Sequence, residues 1–217
     1  MKERGMIFNA EMVLAILDGR KTQTRRPVKF PVHDKNLGCE LAGNELAGEL
    51  SAGNYLNSAF GKPGDRIWVR ETFQGPLFDY DLMDSYCKDP TPFEKPEFCV
   101  YKADGVPAPE FYDADDELHC CWRPSIHMPR WASRILLEIT DVRVERLNAI
   151  SQEDAQAEGM ELAGWRPTYS DPDSGGEVMT PYDNFAELWS SIYGDESWKA
   201  NPWVWVISFE RVEGGAA

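Results

Sequence analysis

The sequence predicts an α+β fold: a small twisted β-barrel flanked by short helices and interrupted by long loop insertions. Three observations carry that expectation. Arg66 to Phe73 and Arg134 to Leu147 alternate apolar and polar residues with the period of a half-buried strand. Trp203 to Phe209 is almost continuously apolar, as a strand covered on both faces would be. One helical stretch comes early and two come late, too few for a helical bundle. A chain of 217 residues can bury one substantial core, so a single domain over residues 1–217 is expected.

Met6 to Phe8 reads as a short first strand. Asn9 is a natural N-cap for a helix that carries Met12, Val13, Ile16 and Leu17 on one side and stops at Gly19. Residues 31–60 are rich in Gly, Asn, Ala and Leu without a strong period, and read as an insertion with weak helical character. Gly61 to Asp65 is turn chemistry, and it opens the Arg66 strand. Residues 74–118 hold many prolines and acids and at most one clear strand, Phe98 to Lys102, so they form a second insertion. In the Arg134 run the apolar residues are Ile135, Leu137 and Ile139, then Val142 and Val144. That change of parity at Thr140-Asp141 predicts a β-bulge. Ser151 to Asp154 opens a short helix in capping-box style, ending at Glu158-Gly159. A third, polar and glycine-rich insertion covers residues 161–181. The helix from Tyr182 to Tyr193 then places Phe185, Leu188, Trp189 and Ile192 on one face, and the Trp203 strand closes the core.

Charge narrows the function. The chain has 22 Lys and Arg against 37 Asp and Glu, a formal net charge of -15. Asp18 to Lys29 nevertheless holds five cations against one acid, a local +4 that leaves -19 on the rest. Within it, Arg20, Lys21, Arg25 and Arg26 flank Thr22, Gln23 and Thr24 just past a helix stop, where an anion or a nucleic-acid backbone can be met. An acidic surface repels phosphates outside such a strip, so long duplex DNA does not suit this chain, whereas a short strand or a single nucleotide does. No run of 18 apolar residues and no signal-peptide pattern occurs, so a cytoplasmic location without membrane contact is expected. Five cysteines without CxxC spacing argue against a disulfide framework and a zinc ribbon, and neither a metal nor another cofactor is expected. There is no phosphate-binding glycine loop, no GxSxG elbow and no internal repeat.

The pieces Gly19 to Arg26, Gly64-Asp65, Ser151 to Gly159 and Trp205 to Phe209 together resemble the ASCH superfamily of small PUA-like β-barrels. Through Gly61 to Phe73 and Trp122 to Trp131 the chain is similar to the longer ASCH proteins encoded by phages and prophages. The resemblance implies binding of RNA or of a modified nucleoside in a bacterial host. One compact branch of the family hydrolyses the amide of N4-acetylcytidine, and its lysine, threonine and glutamate fall by motif on Lys21, Thr24 and Glu158. Another member is a metal-assisted ribonuclease, which leaves a second chemistry open. The extra Arg25-Arg26 pair and the long insertions depart from the compact branch.

In amide hydrolysis Thr24 would be the nucleophile, Lys21 its base or an oxyanion partner, and Glu158 the proton shuttle. Lys21 serves as a base near neutral pH only if burial or a neighbouring Arg20, Arg25 or Arg26 lowers its pKa. Positions 21 and 24 point to opposite faces of a regular strand, so sharing a pocket requires a turn or bulge after Gly19. Cations past a helix C-terminus are also favoured by its dipole alone, by about 0.3–1 kcal/mol. Glu158 sits at the unfavourable end of that dipole for an acid, which marks it either as functional or as one more solvated glutamate. The ligand-binding set is Arg20, Gln23, Arg25, Arg26, Glu71, Trp122, Arg123 and His127. Glu71 either reads a base amino group or forms a structural ion pair. Trp122, Arg123 and His127 belong to a stiff Pro-rich loop that either stacks a base or packs the rim. A protein-binding accessory role through the acidic insertions is the alternative from another class.

Overall fold

The computed structural model describes residues 1–112, 117–160 and 180–212. The predicted insertion at 161–181 falls almost entirely outside them. In chain order the elements are β1 (Glu3–Ile7), α1 (Ala10–Leu17), β2 (Gln23–Pro27), β3 (Val32–His33), β4 (Glu40–Leu41), α2 (Gly43–Ser51), β5 (Arg66–Arg70) and β6 (Phe73–Gln74). There follow α3 (Met83–Lys88), β7 (Val100–Tyr101), β8 (Glu110–Tyr112), β9 (Leu118–Cys120), β10 (Leu136–Arg146), α4 (Gln152–Ala157), α5 (Pro181–Tyr193), α6 (Asp195–Lys199) and β11 (Trp203–Arg211).

The fold is α+β, built on a mixed five-stranded sheet in the order β1-β5-β10-β11-β2. β1 runs parallel to β5, while β5 is antiparallel to β10 and β2 to β11. Among the described residues β1 and β2 stand at the two ends of this order, and no ladder that would close it into the expected barrel is found. The chain divides into two compact units.

The first unit takes Met1–Leu17, Asp65–Glu138 and the chain end from Arg211. Its strand β5 buries Ile67 and Val69 and turns Arg66, Trp68 and Arg70 outward, as the alternation requires. Gly5 of β1 lies under Trp68, because a Cβ there would stand 2.6 Å from the indole ring. Asn9 Oδ1 accepts the Met12 amide at 2.8 Å and starts α1, which buries Val13, Ala15 and Ile16. Met12 and Leu17, predicted on that face, are half-buried. The described residues of the 74–118 stretch carry more regular structure than its composition suggests. β6 pairs with β7 and β8 with β9, and the rings of Phe78, Tyr86, Phe93 and Phe98 pack on one another at 4.7–5.6 Å.

The second unit comprises Asp18–Gly64 and Ile139–Glu210. Leu147, Ile150, Ala155, Phe185, Trp189, Val204 and Val206 form its core. Burial along β10 changes parity at the predicted place: Leu137 and Ile139 are buried, Thr140 is exposed, and Val142 and Val144 are buried again. Thr180 and Asp183 cap α5 reciprocally, and Phe185 and Trp189 point inward. Ile192 does not, being 47% exposed, because the next i+4 position belongs to Tyr193, whose ring packs on Trp189 at 4.4 Å. The 31–60 insertion folds as the β3–β4 hairpin and α2. Gly43 admits the Trp203 indole so closely that a Cβ would lie 2.3 Å from it, and the Arg146 guanidinium also lies over that ring at 4.5 Å.

Candidate functional site

The cation-rich segment begins at Gly19, whose φ of 75° ends the helical path without a Cβ clash. Arg20 stays at the surface, pairing with Asp18 at 3.1 Å and donating to the Gly159 carbonyl at 3.3 Å. Lys21 turns inward, and its backbone bridges Glu158 at the end of α4. Thr22 donates its amide to the Ala157 carbonyl at 2.8 Å, so the tail of α4 is tied to the start of β2.

This tie brings together two of the three residues named for catalysis. The Lys21 ammonium donates to Glu158 Oε2 at 2.7 Å and to the Glu158 carbonyl at 2.8 Å. Side-chain exposure is 0% for the lysine and 3% for the glutamate. Burial pushes the Lys21 pKa down and outweighs the Glu158 carboxylate, which works the other way, while Arg26 and Arg25 add to the lowering. Thr24 is equally buried, but strand alternation sets it on the face of β2 opposite Gln23 and Arg25. The turn after Gly19 therefore joins Lys21 to Glu158 and Arg25, with Thr24 directed away from Arg25.

Arg25 is the hub. Its Nη1 donates to Glu158 Oε1 at 3.2 Å, and its Nη2 meets Glu145 Oε1 at 2.7 Å and Asp154 Oδ2 at 3.1 Å. The guanidinium also lies 5.8 Å from the Phe185 ring. Gln23 donates to Asp154 Oδ1 at 3.0 Å, and Arg143 closes the group by reaching Glu145 at 3.2 Å and Asp154 at 3.1 Å. Burial opposes ionisation of Asp154, yet the Gln23 hydrogen bond and the Arg25 and Arg143 charges prevail and hold its carboxyl below the usual range. Three cations thus face three carboxylates. Much of the charge of the strip is spent inside the protein, and Arg26 is only partly covered.

Arg143, Glu145 and Asp154 were not singled out from the sequence, although a signal existed. Asp141, Arg143 and Glu145 alternate in sign at spacing two along one side of β10, and Asp154 is the third residue of the capped helix that ends at Glu158.

The remaining candidates belong to the first unit. Glu71, 2% exposed, receives Arg134 through both oxygens at 3.0 Å, and Arg134 also grips Asp104 at 2.7 and 2.9 Å above the Tyr101 ring. Burial raises the Glu71 pKa against the pull of Arg134. Of its two readings the ion pair is the one seen. Arg123 and His127 are exposed and Trp122 is half-buried. Arg123 donates to the Gly75 carbonyl at 3.4 Å, and the neighbouring turn is held by Arg70, which donates to the carbonyls of Ser125 and Ile126. His119 stacks on Phe111 at 5.6 Å, and all five cysteines are free. No helix among the described residues is long and apolar enough to cross a membrane. Comparison with family models, curated proteins and solved structures finds no match to this chain.

Proposed function

We propose that this chain is an ASCH-type, PUA-like protein that binds RNA or a modified nucleoside at the Arg20 to Arg26 segment and hydrolyses an N4-acylated cytidine-type amide there. The observation that supports this reading is the buried Lys21–Glu158 contact at 2.7 Å, which joins a lysine of the cation-rich strip to a carboxylate close enough to exchange a proton with it. Burying two charges costs several kcal/mol per ion, and such pairs with a perturbed pKa concentrate at functional sites.

The reaction requires β2 and α4 to part, because the pair is enclosed at rest. Thr24 enters as nucleophile through the resemblance alone and must turn toward the pair. The Lys21 amine takes the proton of its hydroxyl as the oxygen bonds the acyl carbon, and a protonated Glu158 gives its proton to the departing N4 nitrogen as the C–N bond breaks, which releases cytidine. Water then attacks the acyl–Thr24 ester and gives a proton to Glu158, the Thr24 oxygen leaves with the proton held by Lys21, and the carboxylic acid is released. Arg20 and Arg26 would hold a phosphate when the substrate carries one.

Acetate release from N4-acetylcytidine is the direct test. Wild type is expected to release it, and Glu158→Gln to lose at least about a hundredfold in kcat while its circular dichroism is unchanged. A folded Glu158→Gln protein with wild-type turnover sinks the assignment.

A further inference from the structure

Arg25 does more than add charge to the strip, and this inference rests on the hydrolase reading of the Lys21–Glu158 pair. The two oxygens of Glu158 are divided: Oε2 goes to Lys21 at 2.7 Å and Oε1 to Arg25 at 3.2 Å. Arg25 is fixed in turn by Glu145 and Asp154, at 2.7 and 3.1 Å, on the side away from Glu158. Both carboxylates hold Arg143 as well. Among the described residues the Arg25 guanidinium makes its hydrogen bonds through its terminal nitrogens, and Nε is buried without a partner. The planar fork spans carboxylates from α4 and β10 together, which an ammonium cannot do.

We propose that Arg25 is a positioning residue that shares the Glu158 carboxylate with Lys21, so that the lysine and the glutamate exchange their proton along one fixed edge, Nζ to Oε2. The charged groups of the cluster around Lys21 are Arg25 and Arg26 from β2, Asp154 and Glu158 from α4 and its end, and Glu145 and Arg143 from β10. Of these, Arg25 alone bonds to Glu158 alongside the lysine. It keeps Lys21 short of protons in two ways, by repelling the ammonium and by occupying the oxygen that would otherwise be drawn to it. Without Arg25, Glu158 is left wholly to Lys21, and the lysine holds its proton to higher pH.

The experiment titrates the Lys21 side chain by NMR in the full chain labelled with 13C-lysine, the resonance being assigned with Lys21→Arg. Arg25→Gln is expected to move the Lys21 midpoint upward by about one pH unit or more. Arg25→Lys keeps the charge but loses the fork, so it is expected to move the midpoint in the same direction by less, and it serves as the readout if the Gln variant does not fold. An unmoved midpoint in a folded variant overturns the proposal. With N4-acetylcytidine, Arg25→Gln is expected to lower kcat about tenfold or more with KM within about twofold, the pH–rate profile shifting as the NMR midpoint does. A raised KM with unchanged kcat would make Arg25 a ligand contact and overturn the positioning role. Absence of acetate release from wild type removes the hydrolase reading, while the titration still decides whether Arg25 controls the lysine.

Discussion

At the scale of single residues, the buried Lys21–Glu158 pair sets the largest expected effects. Removing Glu158 strands the Lys21 charge away from water, at a cost of about 3–5 kcal/mol, whereas removing Lys21 leaves Glu158 its Arg25 partner at 3.2 Å and costs less. In urea unfolding Glu158→Gln should lose about that much, Lys21→Met less, and the double variant less than the two together. Simple additivity would mean that the ion pair carries no coupling. The lysine also makes a pH prediction. Its pKa is lower folded than unfolded, so between that value and 10.5 the unfolded chain binds more protons, and this group adds stability as pH rises. The advantage of wild type over Lys21→Met should therefore widen on the alkaline side. A narrowing would show that the fold holds the lysine proton more tightly than water does. Neither partner could be matched to the other from periodicity, because they lie 137 positions apart. Only the resemblance to the ASCH superfamily named both together, and it gave no hint of Arg25 as the hub, since pairing across the sheet leaves no local trace.

Among the elements, strands and capped helices were the legible part. The alternation of Arg66 to Arg70, the parity change in β10 and the Ser151 cap all follow from local chemistry, and each holds in the structure. The stretches 31–60 and 74–112 were not legible, because their structure comes from single close contacts rather than from a period. Gly43 against Trp203 is one of these. Gly→Ala within a helix normally stabilises by about 0.5–1 kcal/mol. Here the added methyl has to enter the indole ring, so Gly43→Ala should instead destabilise by about 1–3 kcal/mol. Urea unfolding followed by tryptophan emission measures it, and a stabilised variant would show that α2 can shift off the ring at little cost.

For the molecule as a whole, charge decides what can approach. With a net charge of -15, and with Lys21 and Arg25 neutralised internally, the exposed cations between Asp18 and Lys29 are Arg20 and Lys29. Binding of a short single-stranded RNA is therefore expected to be weak, salt-sensitive and stronger than binding to a duplex of equal length. Arg20→Ala should reduce the slope of log K against log salt by about 1. Fluorescence anisotropy across a salt series checks this, and an unchanged slope would take Arg20 out of contact with phosphate. The α+β class was visible at this scale and the order of the strands was not. Strand-like runs reveal which segments can pair, but which neighbour each takes is set by contacts far apart in sequence that no single run contains.

The complete enclosure of the Lys21 amine has one more consequence. An amine that never touches solvent is invisible to acylating reagents while β2 and α4 remain joined, so any label it acquires must have been taken during an excursion. The rate of that labelling, set against the exposed Lys199, makes position 21 a clock for how often the two elements part.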